Sequence, residues 1–311
     1  MSTIFDATFL VTWLAAGVRL SGPLLLAALG EIYAERSGVL NVGVEGTILI
    51  GALASYLAAV ATGSPAIGIL AAVGAALAAS LLLAFFYVVV QASQVVVGIV
   101  FNVLALGLAS VIYRAAMGDV PALTSAPMIE SFSIPGLANL PAVGPILFQQ
   151  SPMLYATLAL AAAAGLVLYR TRFGFNLRAV GENPRAAAAA GLSVARMRLL
   201  CILLSGVGAG LAGGYLVLCQ VGLFRDTIVA GRGFIALAIV ILGRWNPFAA
   251  ILAAFAFGLA DALGLSLQLL ALPVAPQLFI ALPYLMTVVA ISGLFGRARS
   301  PAALMQPYQE E

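Results

Sequence analysis

The chain has 311 residues, 63% hydrophobic and 8% charged, with a mean hydropathy of +1.14. A soluble domain carries roughly 25% charged residues, so lipid must solvate most of this surface and a water-soluble globule is excluded. All 14 basic residues are arginine and histidine is absent; with neither the usual zinc ligand nor the usual triad base, no catalytic residue and no metal site is expected, and the net charge of +3 is no argument for nucleic acid.

The N-terminus, MSTIFDATFL, lacks a basic n-region and a small-residue cleavage site, so the first apolar segment is expected to persist in the mature protein. Apolar runs long enough for a ~30 Å hydrocarbon core fall at 8–29, 42–61, 66–90, 95–117, 151–169, 199–219, 226–243, 247–266 and 278–296. The expected fold is therefore all-α: one polytopic membrane bundle over residues 1–311, with about nine transmembrane helices and a range of eight to ten. Arg19 and Ser21-Gly22-Pro23 interrupt the first run. Either Arg19 sits near mid-membrane, or residues 1–18 lie along the outer interface. The seventh run holds Asp226, Arg232 and, flanking the arginine, Gly231 and Gly233, and only its second half is cleanly apolar.

An ionisable group at membrane depth costs about 2.5–3.5 kcal/mol or more and is a functional candidate by default. Asn41 and Glu45, four residues apart in NVGVEG, are expected on one helix face, and the motif reads as an interrupted helix start of the kind that lines cavities. Asn102 and Asp261 fall within predicted spans. With Asn41 and Glu45 they are the candidates for a substrate path. A structural role is equally open for Glu45: capping its own helix, or pairing with Arg19 or Arg36.

The longest loop, 118–150, has no basic residue, only Asp119 and Glu130 among several prolines. Loop 170–198 holds Arg170, Arg172, Arg178, Arg185, Arg196 and Arg198, and the tail holds Arg297 and Arg299. The positive-inside rule puts 118–150 outside, and 170–198 with the C-terminus in the cytoplasm; counting back leaves the N-terminus outside. Arg114 and Arg244 sit at span ends and can snorkel, and Trp245 suits the headgroup belt. Cys201 and Cys219 fall on one predicted helix, roughly 27 Å apart at 1.5 Å per residue, beyond disulfide reach. Gly206, Gly210 and Gly214 share a stripe on that helix and predict close helix packing.

Within 170–198, Asn183 is a helix cap, Pro184 suits the first helical position and Gly191 is a C-terminal stop. The helix between them is alanine-rich, about two turns long and marginal alone, so something must dock against it. An alternative is a surface helix at anionic headgroups.

The segment GENPRAAAAAGLSV, with Gly181, Glu182, Asn183, Pro184, Arg185, Ala186, Ala187 and Gly191, resembles the coupling loop of ABC importer permeases of the nucleoside and simple-sugar type, relatives of branched-chain amino acid and ribose permeases. ERSGVLNVGVEGTILIGAL (35–53) and GRGFIALAIVILGRWNPFAA (231–250) are similar to the same family, as are Asp261-Ala262-Leu263, the later PQL and Pro283-Tyr284-Leu285. The resemblance implies a type II importer permease in a bacterial-type cytoplasmic (inner) membrane. It implies a second permease subunit (the same or different), two ATPase subunits or domains, and an extracytoplasmic substrate-binding protein. With no lysine there is no phosphate-binding loop, so this chain is expected to bind no cofactor and ATP-Mg to sit on the partner ATPases. A branched-chain amino acid permease and a stand-alone secondary transporter are the alternatives.

Overall fold

The computed structural model describes residues 6–118, 124–269, 275–292 and 299–308. Asp119 and Arg297, used above to orient the chain, lie outside the described residues.

Helix α1 (Ala7–Arg36) opens on Asp6, whose side chain accepts from the Phe9 N–H at 2.8 Å. It runs unbroken through Ser21-Gly22-Pro23, where the sequence suggested an interruption. Pro23 has no N–H to give the carbonyl four residues back, which belongs to Arg19. That carbonyl instead accepts from Tyr215 Oη at 3.3 Å and Gln220 Nε2 at 3.1 Å. A neighbouring helix thus satisfies the group that proline leaves bare. The Arg19 side chain is exposed on the outside of the bundle.

Next come α2 (Val44–Thr62), α3 (Pro65–Ala84) and α4 (Gln94–Met117). A turn of wider helix, Phe85–Val89, extends α3. After the long loop, with its short antiparallel pair β1 (Phe132–Ser133) and β2 (Gln149–Gln150), comes α5 (Pro152–Arg170). Two short helices follow, α6 (Arg172–Glu182) and α7 (Pro184–Ala189), then α8 (Val194–Tyr215), extended by a wider turn to Val221. The chain closes with α9 (Arg232–Leu242), α10 (Pro247–Leu269), α11 (Pro276–Ile280) and α12 (Leu282–Ile291).

Among the described residues, seven helices are long and apolar enough to cross a membrane. The predicted runs 226–243 and 278–296 hold only shorter apolar helices, Arg232–Leu242 and Gln277–Val289. In the first case the polar stretch Arg225-Asp226-Thr227 stays outside the helix and α9 begins six residues later.

The centre of the bundle is α8, packed against α1, α2 and α3. It touches each of them through a different glycine face. A Cβ on Gly208 would lie 2.5 Å from the Leu26 carbonyl oxygen of α1, and one on Gly213 would lie 2.6 Å from the Ala52 nitrogen of α2. Gly206, Gly210 and Gly214 all face α3, against Ser80, Ala72 and Ile69 respectively. Such contacts bring backbones together where side-chain burial from water supplies no driving force.

Candidate functional site

The non-helical stretch before α9 leaves the first amides of that helix without intrahelical partners. The Glu45 carboxylate fills the gap: Oε1 accepts from Gly231 N–H at 2.8 Å and Oε2 from Gly233 N–H at 2.7 Å. An anion at a helix N-terminus is favoured by the aligned peptide dipoles. Glu45 therefore caps α9, not its own helix, and its hydrogen bonds go to neither Arg19 nor Arg36. Arg36 donates instead to the Trp245 and Arg244 carbonyls.

Beside this cap Arg232 and Asp261 form an ion pair at 3.2 Å, each about a quarter exposed at 21% and 27%. Arg232 also donates to the carbonyls of Ile228 and Val229, and Tyr284 Oη donates to the Ala230 carbonyl at 2.7 Å. A cavity of about 240 Å³ opens here, with Arg232, Asp261, Gln268, Phe279 and Tyr284 in its wall. Asn102, from α4, braces the other side of the Glu45 turn. Its Oδ1 accepts from Gly46 N–H at 2.8 Å and its Nδ2 donates to the Val42 carbonyl at 3.0 Å.

Asn41 does not share a helix face with Glu45, because α2 begins only at Val44. Fully buried, it points towards α1 and α8: Nδ2 donates to Glu31 Oε1 at 3.1 Å and to Ser205 Oγ at 3.0 Å, while Oδ1 accepts from Gly43 N–H. Ser205 Oγ donates to the same Glu31 oxygen. The sequence reading ended the first span at residue 29, and so missed Glu31 and Glu35 as buried groups of α1. The signal was there: two carboxylates one turn apart directly continuing an apolar run. Trp245 was also misplaced. It is not in a headgroup belt but 3% exposed, donating its indole N–H to Glu35 Oε2 at 2.6 Å.

A second cluster lies in loop 170–198, which is more helical than its sequence suggested because α6 precedes the alanine-rich helix. Asn183 closes α6 and opens α7: its N–H donates to the Ala179 carbonyl, and its Oδ1 accepts from Ala186 N–H at 3.0 Å. Pro184 occupies the first helical position. The far end turns over at Gly191, where φ is +86° and Leu192 N–H closes on the Ala187 carbonyl at 3.0 Å. Ala187 is 4% exposed, in a small apolar cluster with Val180 and Val194. Glu182, Arg185 and Ala186 are exposed, and Gly181 is pressed against the Arg36 carbonyl.

Seven apolar helices long enough to cross a membrane, around a short helix whose bare end is capped by a carboxylate from another, define a polytopic membrane protein with polar groups gathered inside its bundle. The comparisons specify the kind. Residues 13–291 match the family described as branched-chain amino acid transport system / permease component, and the chain belongs to that family. It is 36% identical over 299 residues to the guanosine ABC transporter permease protein NupQ of Bacillus subtilis, covering 93% of each chain. It is 35% identical to the nucleoside ABC transporter permease protein NupC of Lactococcus lactis, covering 91% of this chain and 92% of that one. A glucose ABC transporter permease protein of Haloferax volcanii is 30% identical over 79% of this chain and 67% of its own. No solved structure matches. The chain is thus a multi-pass membrane protein and a permease subunit of an ABC importer; ATP hydrolysis resides on separate subunits.

Proposed function

We propose that this subunit forms half of a translocation path for nucleosides. The observation that carries the reading is the likeness, over more than nine-tenths of the chain, to two permeases named for guanosine and nucleosides. The likeness to a glucose permease supports simple sugars as the second reading, and a polyhydroxylated sugar ring is common to both. Asp261, Glu45 and Asn102 border or brace the path beside α9, and Asn41 holds the turn behind them. The test is uptake of labelled guanosine, glucose and leucine by cells expressing the complete transporter. Uptake of guanosine, suppressed by unlabelled nucleosides but not by leucine, is expected; uptake of leucine alone overturns the proposal.

In this reading the chain passes the membrane nine times, N-terminus outside and C-terminus in the cytoplasm. Seven passes are the long helices, and segments 222–245 and 276–292 make the other two. In support, Gly222 accepts from Ala126 N–H of the long loop while Trp245 accepts from Arg36 at the other end of the bundle. The tail lies on the face of loop 170–198, since Ala303 N–H donates to the Gly181 carbonyl at 2.9 Å. Single cysteines at Ser131 and Ser193, both exposed, in a background lacking Cys201 and Cys219, are expected to label from opposite sides of intact cells. Ser131→Cys reacts with an impermeant reagent outside, Ser193→Cys only after permeabilisation; same-side labelling refutes the orientation.

Residues 181–191 are the coupling element for the ATPase, and a second permease subunit, like or unlike, completes the path together with two ATPase subunits and an extracytoplasmic receptor. Glu45→Gln is expected to slow uptake strongly while the complex still assembles. The amide nitrogen would meet an N–H of Gly231 or Gly233 donor to donor, and an unsatisfied buried donor costs about 1–3 kcal/mol. Uptake at the unsubstituted rate, with unchanged melting, would show that the carboxylate cap is dispensable.

A further inference from the structure

The tail beyond the last helix folds back onto four separate elements. Ala303 N–H donates to the Gly181 carbonyl at the end of α6, and Met305 N–H to the Gly38 carbonyl in the turn after α1, at 3.1 Å. Arg198, at the base of α8, donates from Nη1 to the Gln306 carbonyl at 3.0 Å. Gln91, just before α4, donates from Nε2 to the Tyr308 carbonyl at 2.7 Å. Arg198 is 3% exposed and also donates from Nε to the Ser37 carbonyl at 3.3 Å. One guanidinium therefore joins the tail to the C-terminal end of α1, where a cation also complements the helix dipole.

Between this tail and α7 lies a cleft of about 600 Å³. Glu182, Asn183 and Arg185 form one wall; Ala302, Gln306 and Pro307 form the other. We infer that the tail is the second wall of the ATPase docking cleft, so that an element of the ATPase subunit seated between α7 and residues 302–307 acts on the turn after α1 as well as on α6. The inference rests on the coupling role proposed for residues 181–191. The occupant follows from two observations. The inner face of α7 is spent on Val180 and Val194 through Ala187, whereas Glu182 and Arg185, which line the cleft, are exposed. The chain also lacks lysine and hence a phosphate loop, so an ATP-driven displacement must arrive from another polypeptide. A wall carrying both Glu182 and Arg185 suits a protein surface better than anionic lipid, which would favour cations alone. From the tail the contact leads through Ser37 and Gly38 into the turn that holds Asn41 and on to Glu45, in the first turn of α2 seven residues beyond Gly38. A displacement at the cleft thereby has a contiguous physical route to the cap of α9.

The test places a photoreactive benzoylphenylalanine at Arg185 or at Gln306, one at a time, in the full-length chain. The chain is co-expressed with the ATPase subunit of the same transporter and irradiated in membranes. The same residue at Leu104, on the outer face of α4, sets the background. Adducts are identified by peptides carrying the ATPase phosphate loop. Both Arg185 and Gln306 positions are expected to give the adduct. An adduct from Arg185 with none from Gln306 overturns the composite cleft and leaves the coupling role standing. Silence at Arg185 removes the coupling role and the cleft with it. As a second arm, Arg198→Lys keeps the charge but loses the fork. It is expected to abolish most ATP-driven uptake while the Arg185 adduct persists; uptake at the unsubstituted rate removes Arg198 from the transmission.

Discussion

Gly213→Ala is expected to prevent the bundle from assembling, whereas Gly214→Ala, one residue on, is expected to leave it folded. The two substitutions add the same methyl group to the same helix. At Gly213 the new Cβ meets backbone, 2.6 Å from the Ala52 nitrogen and still closer to the Ile48 carbonyl oxygen. Backbone within a packed helix cannot rotate away, so α2 would have to leave its seat on α8. At Gly214 the nearest atom is Ile69 Cδ1 at 2.7 Å, the far end of a side chain with other rotamers to adopt. Overpacking of an ordinary core costs about 1–3 kcal/mol, and the Gly213 case has no relaxation route to keep it in that range. Against a total stability of roughly 5–15 kcal/mol it is the more damaging single methyl. Size-exclusion profiles and melting in detergent decide it: a monodisperse Gly213→Ala protein of unchanged melting temperature would mean that α2 and α8 are not in backbone contact.

The second large effect concerns α7. Replacing Ala187 and Ala188 together by glycine costs about 1 kcal/mol of helix propensity per site, in a helix of 6 residues with no length to spare. Ala187 also loses the methyl that anchors the helix to Val180 and Val194. Gly191→Trp acts differently. Its φ of +86° is disfavoured for any L side chain, and the space around a Cβ there is open, so the indole projects outward and obstructs docking without breaking the bundle. Both variants are expected to insert normally and to lose uptake, and Gly191→Trp also to lose the ATPase subunit in pull-downs from membranes. Wild-type uptake by both would mean that residues 183–191 are not the motor contact.

How much of this was legible in the sequence follows the range of the interactions. The helices α2 to α5 lie within a few residues of their apolar runs, because lipid exposure selects continuous apolar helices and little else. The turn chemistry of Asn183, Pro184 and Gly191 was legible for a similar reason: cap, first position and left-handed stop are all decided within nine residues. Segment 226–243 was not. An apolar half-helix beside a polar turn averages to the hydropathy of a full span, and only the carboxylate of Glu45, 186 and 188 positions away along the chain, marks where the helix begins. The same distance hid the buried group around Asn41, whose partner Ser205 is 164 residues off. Glu31 was overlooked because the span was ended at Leu29, two residues before it, although a carboxylate can stay inside a bundle that brings it a hydroxyl and an amide. The fold of the tail was not legible, since the tail's own contribution to each anchor is a main-chain group that any sequence could supply, and the Arg198 and Gln91 side chains that meet it lie 108 and 217 residues away.

The glycine faces of α8 bear on how the protein can move. Where side chains separate two helices, a layer of rotamers can reshuffle and let them slide; where main chains touch, no such layer exists, and packed interfaces of this kind change by switching, not by gradual give. The four helices α1, α2, α3 and α8 should therefore travel as one solid block. The motion that opens the path to one side and then the other must be taken up elsewhere, at seams cushioned by larger side chains. The contact of α12 with the start of α9, where Tyr284 reaches across to Ala230 and its ring lies against Gly231, is such a seam; α9 itself is held to the block at its N-terminus, where a Cβ on Gly233 would lie 2.7 Å from the Glu45 backbone.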